Sequence, residues 1–339
     1  MRFMEVVNDF AQLSRIYLAP FTVSIPILGA LTVNPHLTIG NLFALGMVGL
    51  SAHIFGFSLN DAIDYSLDKA TTSRQSRPLI TGRISLLSAW LFGLIQVPVA
   101  LFTYYVILHG SLGGTVLLGV SVILSIAYNS FSKRGPFPRI MPELSLALSV
   151  GTLCLCGAMT QSLSLPLRSC VFILALSLIL MLTNSVPNHL KDIKTDSDSG
   201  FDSFVLAAGS RIIGNDEVKT SNFLWIYSIV LQVMIVTCML ALIALTRIHL
   251  IIGILVIFFV LYSSLHLRML LSLKSFKQIR QSLPLLSGIY SYTALSLFVS
   301  GTFYGLLAVV YWLWVLMLVL FPALLAWQIW RTPYRAIDQ

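Results

Sequence analysis

Two short stretches hold most of the residues in this sequence that could do polar chemistry. Of 13 acidic residues in 339, seven lie there: Asp61, Asp64 and Asp68, then Asp192, Asp196, Asp198 and Asp202. In each stretch an asparagine and two aspartates recur at intervals of four, as Asn60, Asp64 and Asp68 and as Asn188, Asp192 and Asp196. On a continuing helix, residues four apart share a face. Each stretch therefore predicts an amide and two carboxylates in one file, with Asp61 beside the first. Asp198 and Asp202 fall in the softer run 197–203 and read as solvated loop acids. Hard oxygen donors on facing helices suit Mg²⁺, which keeps several waters and completes its shell with substrate phosphates. Two such helices have the ligands for two or three Mg²⁺ ions around a diphosphate.

The elements that must position these groups are membrane helices. The chain is 57% hydrophobic and 10% charged, with a mean hydropathy of +0.88. Soluble domains carry about 25% charged residues. Apolar runs of spanning length recur near 17–33, 41–59, 85–108, 112–131, 143–161, 169–187, 222–245, 249–266, 284–306 and 309–329. The last two come from dividing one apolar run too long for a single crossing. The loops so defined hold 19 of the 21 Lys and Arg residues on one side, with only Arg168 and Arg247 on the other. The positive-inside rule places that side, both termini and both acidic stretches in the cytoplasm. An even number of spans follows, and ten is preferred over nine. The predicted fold is an all-α, multi-pass transmembrane bundle with its active site at the cytoplasmic side. In a prokaryote this is a protein of the inner membrane.

The formal charge of +8 is explained by these loops and not by nucleic acid. Cys154, Cys156, Cys170 and Cys238 lie in or beside apolar runs and suggest neither zinc nor a disulfide framework. The N-terminus has no cleavable signal pattern. The chain reads as one integral-membrane domain over 1–339, built of two pseudo-equivalent halves carrying their motifs at 60–68 and 188–200.

The run Asn60-Asp61-Ala62-Ile63-Asp64-Tyr65-Ser66-Leu67-Asp68 resembles the NDxxDxxxD motif of the UbiA superfamily of intramembrane prenyltransferases. Arg77-Pro78-Leu79-Ile80-Thr81-Gly82-Arg83-Ile84-Ser85 resembles that family's RPLxxGRIS segment. Asp192, Asp196 and Gly200 match its shorter DxxxDxxxG form, and Tyr128 with Lys133-Arg134 resembles its tyrosine-to-KR segment. The sequence departs from many members in carrying Ser199 and Asn188 at motif positions, and in ten expected spans where nine are usual.

The resemblance implies a Mg²⁺-dependent enzyme that moves an isoprenyl group from a polyprenyl diphosphate to a lipophilic acceptor, aromatic or a quinone precursor, within lipid. Asp64, Asp68, Asp192 and Asp196 are then the metal and catalytic carboxylates, with Asp61 a further metal ligand and Asn60 and Asn188 as polar partners. Arg77, Lys133, Arg134, Lys191, Asn60 and Asn188 are the expected diphosphate contacts, Lys133 also being catalytic. A membrane terpene cyclase of the same superfamily would ionise the same donor and use no acceptor. A transporter is the third reading, but a transport path would place some acids near the bilayer midplane, and these cluster at one face.

Overall fold

The computed structural model describes residues 3–70, 74–131, 138–198, 200–214, 216–246, 248 and 250–300. Among them, nine helical stretches are long and apolar enough to cross a bilayer: Ile16–Val33, Ile39–Ile63, Leu86–Ile107, Leu112–Ser130, Ile140–Met159, Leu167–Asn188, Asn222–Leu245, Leu250–Ser272 and Phe276–Val299. They fall on the first nine stretches expected from the sequence. The tenth, expected at 309–329, lies outside the described residues. The ninth begins at Phe276 rather than near 284, because a short helix precedes the long one across a bend at Leu283, where φ is 53°.

Short polar side chains set several helix starts. Thr38, Ser85 and Ser221 accept the N–H of Asn41, Ser88 and Leu224 at 3.0–3.1 Å. Each bond satisfies a donor that has no partner within the helix.

The chain divides into two compact units, Met1–Met181 and Leu182–Gln339. The first holds α1 (Phe3–Leu13), α2 (Ala19–Val33), α3 (Ile39–Ile63), α4 (Tyr65–Ala70), α5 (Leu86–Leu94), α6 (Gln96–Phe102), α7 (Leu112–Phe131), α8 (Ile140–Met159) and most of α9 (Leu167–Thr183). Lipid tails are as apolar as leucine, so these helices associate through close backbone approach and shared hydroxyls. A Cβ on Gly157 of α8 would lie 2.6 Å from the carbonyl carbon of Pro26 on α2. A Cβ on Gly49 of α3 would lie 2.7 Å from the Cα of Val23, also on α2. Between α7 and α8, Ser121 and Ser149 each donate to the other's carbonyl, at 2.8 and 2.9 Å. Tyr104 is buried where the third span widens into a π turn at Thr103–Ile107, and its hydroxyl donates to the Cys156 carbonyl at 3.2 Å.

In the second unit, α9 runs into another π turn at Asn184–Asn188, followed by α10 (Ile193–Asp198) and α11 (Phe204–Ala207). Two strands then form a hairpin, β1 (Arg211–Ile213) and β2 (Glu217–Lys219). After them come α12 (Asn222–Leu245), α13 (Leu250–Ser272), α14 (Phe276–Gln281) and α15 (Leu286–Ser300). Ser263 ties α13 to α15 by donating to the Ser287 carbonyl at 2.7 Å and sharing a 2.7 Å hydrogen bond with Ser291. Gln232 of α12 donates to the Ser264 hydroxyl at 2.8 Å. The hairpin is the one departure from the all-α expectation among the described residues. It is antiparallel, with Ile212 opposite Val218, and it turns at Gly214, where φ is 62°.

Candidate active site

The first acidic stretch is a continuation of α3. The Asp64 N–H bonds the Asn60 carbonyl at 2.9 Å, and the Asp68 N–H bonds the Asp64 carbonyl at 2.9 Å. The four-residue register expected from the sequence therefore persists across the junction of α3 and α4. Asp61, Asp64 and Asp68 are all buried, with 5%, 2% and 2% of their surface exposed. Carboxylates so placed are expensive unless countercharged, and arginines supply the charge. Arg77 bridges two of them, its Nη1 lying 3.2 Å from Asp61 Oδ1 and 2.6 Å from Asp68 Oδ2. Arg15 lies 2.8 Å from Asp61, and Arg74 pairs with Asp68.

The RPLxxGRIS segment is explained residue by residue. Arg77 holds the carboxylates. Pro78 begins a turn in which the Ile80 and Thr81 N–H groups bond the Arg77 carbonyl at 3.0 Å. Leu79 and Ile84 bury themselves with Leu13, Ala62 and Ala89. Gly82 has φ 76°, a left-handed conformation that glycine adopts without a Cβ penalty. Ser85 caps α5. Arg83 points away from the acids and pairs with Asp9 of α1 at 3.1 Å.

Asn60 donates to Asn129 Oδ1 at 2.8 Å, and Asn129 donates on to the Ser125 carbonyl at 2.9 Å. Sequence reasoning missed Asn129, Arg15 and Arg74 as neighbours of the motif. Asn129 had a legible signal, an amide inside an apolar span beside Tyr128. Arg15 had none, since its partner is 46 residues away. Lys133 and Arg134 lie outside the described residues.

The second acidic stretch differs from the expected pattern. Asn188, Asp192 and Asp196 do not form one regular file, because Asn188 closes a π turn and the chain tightens before Asp192. The Lys191 N–H bonds the Pro187 carbonyl at 3.2 Å, and the Asp192 N–H bonds His189 in a tighter turn at 3.2 Å. Only the step from Asp192 to Asp196 is a regular helical turn, with an Asp196 N–H to Asp192 carbonyl bond of 2.9 Å. Asn188 donates to Asn184 Oδ1 at 3.0 Å. The Asp192 side chain is 54% exposed, with the Lys191 ammonium 3.8 Å away. Asp196 is half-buried, and Asp198 is exposed as expected but is the last residue of α10 and not part of a loop.

The glycine of this motif ends α10. Gly200 has φ 67°, its N–H bonds the Ser197 carbonyl at 3.2 Å, and the Phe201 N–H reaches back to the Asp196 carbonyl at 2.8 Å. That is a Schellman ending, and it satisfies the carbonyl of the aspartate itself.

Beyond α10, the hairpin is fastened to the turn before α14. The Val218 N–H bonds the Lys274 carbonyl at 2.6 Å, and the Phe276 N–H bonds the Asp216 carbonyl at 2.8 Å. The Asp216 carboxylate accepts from the Ser275 hydroxyl and from the Lys277 N–H, the latter at 3.0 Å. The Ser275 hydrogen bond, more than any other contact, holds the Asp216 carboxyl below the usual carboxylate range. A depressed folded-state pKa contributes stability that is complete above the unfolded value, about 3.9, and is lost as pH falls through the folded one. Hydrogen exchange at the Val218 and Phe276 amides is therefore expected to accelerate as pH falls below about 4, after correction for intrinsic rates, while α13 amides stay protected.

Among the described residues, no three His, Cys, Asp or Glu side chains are gathered closely enough to hold a metal ion by themselves. The donor set is nonetheless hard oxygen of the kind Mg²⁺ takes, and buried anions held by arginines suit a cation that shares its shell with an anionic ligand.

The profile of the UbiA prenyltransferase family matches residues 17–282. No curated protein matches the chain by sequence. Among solved structures, digeranylgeranylglyceryl phosphate synthase is similar with a TM-score of 0.66 at 16% identity, over 88% of this chain and 98% of that one. A UbiA homologue from Aeropyrum pernix K1 gives 0.59 at 18% identity, over 80% and 96%. A UbiA homologue from Archaeoglobus fulgidus, bound to DMAPP and Mg²⁺, gives 0.60 at 14% identity, over 85% and 99%. At these identities the structures speak for the shared fold. With nine apolar helices, the motif-bearing junction of α3 and α4, and a family match over most of its length, the chain is an integral, multi-pass membrane protein of the UbiA prenyltransferase family.

Proposed function

We propose that the protein transfers an isoprenyl group from a polyprenyl diphosphate to an aromatic or quinone-precursor acceptor, with Mg²⁺, at the cytoplasmic face of the membrane. The observation that carries this reading is the set of buried carboxylates Asp61, Asp64 and Asp68 countered by Arg15, Arg74 and Arg77. An arrangement with both signs of charge suits a ligand that is itself a metal–diphosphate pair. The Mg²⁺ complex with DMAPP of the Archaeoglobus fulgidus homologue supports the same chemistry here.

Asp64, Asp68, Asp192 and Asp196 would hold the metal ions, with Asn60 and Asn188 as polar partners. Mg²⁺, when bound, supplies positive charge against the leaving diphosphate as the allylic C–O bond breaks. Arg77, with its planar fork, holds diphosphate oxygens, while Lys133, Arg134 and Lys191 add cationic contacts. Asn129 fixes the amide of Asn60. The apolar spans exclude water, so that the carbocation is captured by the acceptor, which then gives up a proton, and not by water.

The test is product analysis. Purified protein in lipid nanodiscs is incubated with Mg²⁺ and donors of several chain lengths, alone and with aromatic or alkylglyceryl phosphate acceptors, and products are identified by mass. A prenylated aromatic acceptor that forms only with Mg²⁺ is the expected outcome. Prenylation of the glyceryl phosphate alone would overturn the acceptor class. A cyclised hydrocarbon from donor alone would replace transfer by cyclisation. Unchanged donor in every mixture would remove both.

A further inference from the structure

Arg15 reaches the first acidic stretch from a different part of the chain than the other two arginines. Arg74 and Arg77 lie on the connection between α4 and α5, while Arg15 lies in the turn between α1 and α2. Its backbone is left-handed, with φ 47° and ψ 48°. A non-glycine residue there is strained and persists only where its surroundings hold it.

The holding contacts are identifiable. His53, buried in α3, has its Nε2 3.2 Å from the Arg15 carbonyl. A carbonyl can only accept, so Nε2 carries the proton and Nδ1 accepts from the Thr22 hydroxyl at 3.0 Å. Gly49, one turn before His53, lets α3 approach the backbone of Thr22 and Val23 closely enough for this bond. The Arg15 guanidinium lies 4.9 Å from the centre of the Phe57 ring, which itself packs on His53 at 4.6 Å. Backbone and head group are thus both fixed, and the fork ends 2.8 Å from Asp61 Oδ1.

We propose that Arg15 is a positioning residue, a fixed counter-ion that keeps Asp61 out of divalent-cation coordination and leaves Asp64 and Asp68 as the cation-binding carboxylates of this half. The assignment rests on the proposed Mg²⁺ dependence and narrows it, since Asp61 is otherwise expected among the metal ligands. Arg77, which bridges Asp61 and Asp68, is then the arginine that would meet diphosphate oxygens, while Arg15 stays in place. The motif's first aspartate organises the arginine, and its second and third meet the metal.

The test reads Mn²⁺ binding to the full-length, detergent-solubilised protein by electron paramagnetic resonance, with no turnover needed. Asp61→Asn is expected to leave the apparent dissociation constant within about twofold of wild type, whereas Asp64→Asn raises it about tenfold or more. Arg15→Gln leaves Asp61 with the longer 3.2 Å Arg77 contact and is expected to tighten Mn²⁺ binding about two- to fivefold, the range of a partly exposed ion pair. Arg15→Lys should restore wild-type affinity. A loss of packing alone would weaken Mn²⁺ binding or leave it unchanged, so tightening is the discriminating sign. Asp61→Asn as damaging as Asp64→Asn, or Arg15→Gln weakening the ion's binding, overturns the assignment. A wild-type protein that binds no Mn²⁺ overturns the Mg²⁺ reading itself. In that case an Arg15–Asp61 double-mutant cycle in thermal stability still reads their coupling, and strictly additive effects would overturn the pairing too.

Discussion

Asp64→Ala is expected to lower kcat by about a thousandfold or more while the protein still folds and elutes as the wild type does. The size of the effect follows from where the residue sits. Asp64 lies between Asn60 and Asp68 in an unbroken backbone ladder and is 2% exposed. Its neighbours Asp61 and Asp68 are already engaged by arginines. If it holds a metal against the leaving diphosphate, its loss removes stabilisation where charge develops in the transition state, and rate falls more than donor affinity. Asp192→Ala should act in the same direction, because Asp192 opens the second motif and is itself proposed to hold a metal ion. The measurement is kcat and KM for the donor at saturating Mg²⁺, with circular dichroism and size exclusion as controls. Undiminished Mg²⁺-dependent turnover in both variants would sink the site assignment.

Gly157→Val is the substitution expected to damage the fold most. A Cβ at Gly157 would stand 2.6 Å from the Pro26 carbonyl carbon and 2.7 Å from its Cα. Backbone atoms cannot rotate away as a side-chain tip can, so α2 and α8 must separate. Overpacking of this kind costs about 3 kcal/mol, which corresponds to a fall of roughly 10 °C in the melting temperature. Gly119→Ala on α7 is the matched control. Nothing lies within 4 Å of the Cβ it would add, so it is expected to be neutral within about 0.5 kcal/mol. Equal melting temperatures for the two variants would show that the α2–α8 contact does not depend on close backbone approach. The damage should also reach the acidic stretch, because α2 carries Thr22, which orients His53 and through it Arg15.

The span positions were legible because spanning length and apolarity are local properties. The expected runs at 112–131 and 222–245 coincide, within a residue, with Leu112–Ser130 and Asn222–Leu245. The first acidic motif was legible for the same reason, since its register depends on a helix continuing through eight residues. The second was misread as its equal. Four-residue spacing is the same in both stretches, and only the backbone, with a π turn ending at Asn188 and a tighter turn from His189 to Asp192, shows that Asn188 and Asp192 leave the common file. The hairpin was hidden too. Its strands are three residues each and owe their pairing partly to the distant Lys274 and Ser275.

By itself, the sequence determined that this is a membrane-embedded helical protein with its carboxylates at the ends of two spans, because hydropathy, charge sorting and four-residue spacing all act over short distances. Only the tertiary structure decided which cation answers which anion. Arg83 belongs to Asp9, Arg77 bridges Asp61 and Asp68, and Arg15 crosses 46 residues to Asp61. Buried charges must find partners, but the partner is chosen by how helices pack, and that packing depends on glycines whose importance no local pattern announces.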